Sequence, residues 1–130
     1  MSKLNLGTLF ASSPVSSTIQ SLGSVSGAIT VDVSAGAFIE ATANGAGAWV
    51  FSVADPQQAQ TAMVWYLLIT NGSTTQTFQV AVDGYANTPV KWPSGSAPSL
   101  QPSGSDLLCF IKGSGNTVIG YRVAANVSVS

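Results

Sequence analysis

The sequence predicts an all-β fold: a single antiparallel β-sandwich of jelly-roll type over residues 27–130, preceded by an extended N-terminal arm over residues 1–26. Three observations carry this prediction. Apolar and polar residues alternate along several short runs, the period of a strand with one buried face. Each run is bounded by Gly, Asn, Pro or Ser. No window shows the 3.6-residue period of a helix.

The arm comes first. Residues 1–26 are rich in Ser and Thr, residues that favour caps and turns over helix interiors. Leu4, Leu6, Leu9, Phe10, Val15 and Ile19 are the apolar points, and Pro14 interrupts them. A solvated tail has no use for so many apolar side chains, so the expectation is an extended segment that binds a neighbour. Strand addition would seat alternate residues such as Leu4 and Leu6 in pockets.

The strands follow. Ile29, Val31 and Val33 alternate with Thr30 and Asp32, and AFIEATA follows after a Ser-Ala-Gly turn. AWVFSV puts Trp49, Phe51 and Val53 on one face. AMVWYLLIT is apolar throughout and reads as a central strand. It ends at Asn71-Gly72, which between two strand-like runs predicts a hairpin. TQTFQVAV alternates Phe78, Val80 and Val82 with polar residues; LLCFIK, VIGYRV and NVSVS complete the series. That makes roughly eight short strands at sandwich-like spacing. The nearest thing to a helix is DPQQAQTA, where Asp55 would cap one turn and Pro56 would occupy its first position.

Composition narrows the function. Apolar residues make up 45% of the 130, enough for one core, but charged residues only 7%, against about 25% in an ordinary globular domain. Part of the surface is therefore expected to lie against partners. The four basic residues, Lys3, Lys91, Lys112 and Arg122, are scattered and the net charge is −1, which disfavours nucleic acid as a partner. The longest apolar run, Ala62–Ile69, is too short for a membrane helix. No secretory signal is apparent, so assembly in a cytoplasm is the expectation.

The chain holds no histidine. That removes Ser-His-Asp and Cys-His catalysis and the commonest zinc ligand. The acidic residues Asp32, Glu40, Asp55, Asp83 and Asp106 each suit an outward strand position, a cap or a turn. No phosphate loop, dinucleotide fingerprint or calcium loop is present. The expectation is a protein that is not an enzyme, with no cofactor, no metal and no catalytic residue. Cys109, alone in LLCFI, reads as a small buried hydrophobe. Of the aromatics Trp49, Trp65, Trp92, Tyr66, Tyr85 and Tyr121, Trp49 and Trp65 read as core. Trp92 stands at a strand end, where an indole covers the edge of a core.

The stretch VKWPSGSAPSLQPSGSDLLCFIKGSGNTVIGYRV resembles a recurrent β-module of bacteriophage tail-fibre and capsid-decoration-type virion proteins. The resemblance lies in Val90, Lys91, Trp92, Pro93, Gly95, Ala97, Pro98 and Leu100, then in Asp106, Leu108 and Phe110, and covers roughly residues 28–123. It implies a non-catalytic virion protein, usually trimeric. With only about 26 Ser-rich residues before the module, the resemblance points to a capsid decoration (cement) protein, with a tail-fibre, spike or head-fibre adhesin as the alternative. The implied partners are further copies of the chain, the phage major capsid protein or another virion protein, and a host-surface glycan. The residues themselves agree with a structural role. Pro93 and Pro98 cannot donate to a ladder and stiffen the connection. Trp92 and Leu100 are placed to pin its ends to the core, and Asp106 to accept backbone N–H groups in the following turn.

Overall fold

The computed structural model describes residues 18–54 and 62–127. They are all-β, 64% strand with no α-helix, and form one curled mixed sheet, a half-barrel. The strands are β1 (Ile19–Asp32), β2 (Phe38–Val53), β3 (Met63–Thr70), β4 (Gln76–Val82), β5 (Thr88–Pro89), β6 (Ser105–Lys112) and β7 (Val118–Val127).

The first two strands set the shape. β1 and β2 run parallel, with Ile19 beside Phe38 and Asp32 beside Ser52. Parallel neighbours ordinarily need a long crossover, yet only residues 33–37 join these two. The geometry works because β1 doubles back on itself. Gly23 and Gly27 both hold φ +71, a left-handed conformation that glycine adopts without penalty. The register slips at the same two places. β2 bends at Gly45, φ +128. Each strand is therefore a bent rung, and β2 stacks on β1 as the next turn of a coil. Gln20 ties the open ends together. Its amide donates to the carbonyls of Asp32 (2.7 Å) and Gly36 (2.8 Å). The Asp32 carboxylate caps the return turn, accepting from Ser34 N (3.0 Å) and Oγ (2.6 Å).

β2 is also a fork. β1 occupies one edge along its length, so β3 and β4 share the other. β3 pairs with residues 38–42 and β4 with residues 47–53, both in parallel. One branch continues antiparallel through β6 to β7, the other through β5. Gln76 secures the fork: it accepts from the Trp49 indole (2.8 Å) and donates to Gly45 O (2.9 Å). The branches meet again at Lys91, whose backbone accepts from Gly120 N (2.8 Å) and donates to Val118 O (2.9 Å).

The core fills the curl. Phe51 stands at its centre, its ring 4.6 Å from Phe110, 5.6 Å from Trp65 and 6.1 Å from Phe78. Ile39, Leu67, Ile69, Val80 and Leu108 close around these rings with no exposed surface. Aromatic rings of this size bury about 150–250 Å² each and supply most of such a core's hydrophobic stabilisation. The Trp65 indole N–H is buried there without a hydrogen-bond partner among the described residues.

Several expectations need correction. The sheet is mixed rather than antiparallel, and its strands are hydrogen-bonded into one continuous sheet rather than two packed sheets of a jelly roll. AFIEATA and AWVFSV are two halves of one bent strand. Asn71-Gly72 does make a turn, with Asn71 at φ 59, but it closes no hairpin: β3 and β4 pair with β2, not with each other. Residues 19–26 belong to β1 rather than to an arm. The arm residues Leu4, Leu6, Leu9, Phe10 and Val15, and the turn proposed at Asp55, lie outside the described residues.

Candidate interaction surface

The connection from Val90 to Asp106 builds one corner of the molecule. Pro93 opens a short 3-10 turn, Pro93–Gly95, that leaves the sheet. Trp92, half-buried, turns its ring edge-on to Phe78 (5.7 Å) and Phe110 (5.8 Å) and covers the seam where β7 meets Lys91. Leu100, partly buried, packs against the core beside Gly72. Between these anchors the chain passes over the surface, with Pro98 half-buried.

Asp106 locks the far end. It is fully buried, and its carboxylate accepts from Gln101 N (2.7 Å) and Asn126 N (3.3 Å). A buried carboxylate is tolerable only when its oxygens are satisfied, and here both are. Two shallow grooves flank the corner. One, about 280 Å³, is lined by Trp92, Pro93, Ser96, Pro98, Tyr121 and Arg122. The other, about 250 Å³, runs between Gly72–Gln76 and Ala97–Leu100. The Arg122 guanidinium donates to the Ser99 carbonyl. Lys91 is exposed at the seam, whereas Lys112 is fully buried at the end of β6, donating to Gly113 O (3.1 Å).

A second surface lies on the convex side. The strand registers align Ile19, Phe38, Tyr66, Cys109 and Tyr121 in one row across β1, β2, β3, β6 and β7. Val64, Ile111 and Ile119 form the adjacent row. Most of these side chains are exposed: Ile19 57%, Val64 46%, Tyr121 39%. The thiol of Cys109 is hidden between the two tyrosines. Both phenols are raised above the ordinary tyrosine range. For Tyr66 the main cause is the negative charge of the Cys109 thiolate, with burial and a hydrogen bond to that sulfur adding to it. For Tyr121 the hydrogen bond to Cys109 comes first, then its charge.

Reading the sequence alone missed this face. AMVWYLLI and LLCFI are apolar at every position, and such runs read as strands buried on both sides. Here only the Trp65, Leu67, Ile69 side and the Leu108, Phe110 side enter the core. A signal was present: both runs are apolar on a second face that nothing among the described residues covers.

No family model, no curated protein and no solved structure matches the chain. Among the described residues no three His, Cys, Asp or Glu side chains gather as a metal site would require. No helix among them is long and apolar enough to cross a membrane.

Proposed function

We propose that the protein is a non-enzymatic structural subunit of a bacteriophage particle, a homotrimeric decoration protein seated on the major capsid protein. One observation carries the reading: the residues that give the sequence its resemblance to phage β-modules act together in one architectural corner. Trp92 seals the seam, Leu100 anchors the connection and Asp106 satisfies the backbone at its far end. The low charge of the chain, 7%, is in keeping with a surface partly covered by neighbours. Residues 1–17 remain the proposed attachment segment, with Leu4, Leu6, Leu9, Phe10 and Val15 as its contacts.

The test is quantitative mass spectrometry of purified particles that contain this protein. A copy number comparable with that of the shell subunit is the expected result. One trimer, or a few, per particle would favour a second reading, a fibre or spike component that binds a host glycan. The groove beside Trp92 supports that alternative, because Trp92 and Tyr121 line it together with Arg122, and aromatic faces beside a cation suit sugar rings. Absence from particles would overturn both.

A further inference from the structure

We infer that the convex face of β1, β2, β3, β6 and β7 is the surface through which copies of this chain associate. The inference rests on the homotrimeric reading above and supplies the surface which that reading needs.

Exposed apolar surface is the first argument. Ile19, Val64, Tyr66, Ile111, Ile119 and Tyr121, each 37–57% exposed, lie side by side in the two rows, a contiguous apolar patch of the kind that marks an association surface. A standard interface takes about 800 Å² from each partner, and these rows would supply its apolar centre.

Charge selects the occupant. The two rows carry no charged side chain; Glu40, in the next row beside Ser21 and Leu68, is the one charged residue near them on this face, and Arg122 is registered with core-facing Leu108 on the other side of the sheet. An acidic or basic partner would find almost nothing to pair with. A second copy brings the same uncharged surface, and at net charge −1 the copies repel one another little. Tyr66 stands near the middle of the patch, where association surfaces favour an aromatic residue, and Tyr121 at its β7 end. Three copies turning this face towards a common axis bury all three patches in a closed arrangement.

Edge pairing is the other way strands associate, and β1 is built against it. Among the described residues β1 pairs only with β2. Its open side is broken by the two register slips and the left-handed glycines at 23 and 27. Bulges of this kind keep an edge from accepting another strand. At this edge, self-association by strand addition is therefore disfavoured.

The experiment measures the mass of the full chain by sedimentation across a dilution series. It compares the unaltered protein with Ile111→Glu, with the milder Tyr121→Ser, and with Thr77→Glu on the outward side of β4 as control. Circular dichroism verifies that each variant is folded. The expected result is a trimer for the unaltered chain and the control, with dissociation constants raised at least about tenfold in both face variants. If Ile111→Glu does not fold, Tyr121→Ser decides. Face variants that remain trimeric like the control would overturn the assigned surface and leave the trimeric reading standing. An unaltered chain that is monomeric throughout would overturn both. A monomer that is recruited to purified shells would place the shell, not a second copy, on this face, overturning the inference while supporting the virion reading.

Discussion

The side-chain amide of Gln20 donates to the main-chain carbonyl of Asp32, twelve residues further along the same strand. An extended strand would hold these two residues about 40 Å apart. The contact exists because β1 bends back at Gly23 and Gly27, and it clamps the bent form. Gln20→Ala removes this bond and the one to Gly36, and should lower stability by about 1–2 kcal/mol. Gly27→Ala should cost about 1–2 kcal/mol by a different route. Its Cβ would meet no neighbour, so the cost is the left-handed backbone alone. Urea unfolding checks both. A neutral Gly27→Ala would mean that the bend is held elsewhere.

Trp92 and Gly120 form a second pair to test. A Cβ on Gly120 would stand 2.8 Å from the Trp92 ring and 2.9 Å from Val90. Gly120→Ala should therefore displace the indole, cost about 1–3 kcal/mol and shift tryptophan emission to the red. Trp92→Ala should cost about 3 kcal/mol, the low end for a large aromatic because the ring is only half-buried. A fully stable Trp92→Ala that had lost only glycan binding would favour the adhesin reading.

Asp106→Ala removes a buried acceptor from the backbone N–H groups of half-buried Gln101 and exposed Asn126. The expected loss is about 1–2 kcal/mol in urea unfolding. Hydrogen exchange should quicken at Gln101 and Asn126 ahead of the rest of the chain. Uniform acceleration would show that Asp106 supports the whole sheet rather than the corner.

Alkaline titration probes the convex face. Tyr66 and Tyr121 are raised by Cys109, so the folded protein holds their protons more tightly than the unfolded chain. Their contribution to stability is complete below the ordinary phenol value of about 10. It is lost as pH rises through the raised folded values. In a Tyr85→Phe background, where only these two tyrosines remain, phenolate absorbance should appear later than for free tyrosine. Adding Cys109→Ala should bring it back towards the ordinary range. No change on removing the thiol would assign the shift to burial instead.

Period-two alternation was legible in the sequence wherever one strand face is wet. Ile29 and Val31, Trp49 and Phe51, and Phe78 and Val80 all point into the core as their spacing predicts. Connectivity was not legible. A parallel partner leaves no mark on local alternation, and Asn71-Gly72 specifies a turn without specifying whether the flanking strands pair. The bends were equally hidden: Gly23 sits among serines and reads as arm and Gly27 reads as the start of the first strand, whereas their positive φ makes one bent rung of the segment. At the corner, Pro93 and Pro98 limit the chain by their own covalent geometry, a constraint that is visible in the sequence itself.

The fork in β2 has a consequence in time. Residues 19–53 build their coil from neighbours in sequence, so this part forms early. The second edge of β2 must then wait, first for β3 and then for β4, and the seam closes only when residues 118–120 reach Lys91. Distant closures of this kind slow folding, into the millisecond-to-second range for domains dominated by them. Until β3 arrives, a chain leaving the ribosome carries an unpaired, apolar β2 edge, the kind of surface that captures other nascent chains. Slower elongation between residues 54 and 62 would lengthen that exposure, and yield in the host should fall with it.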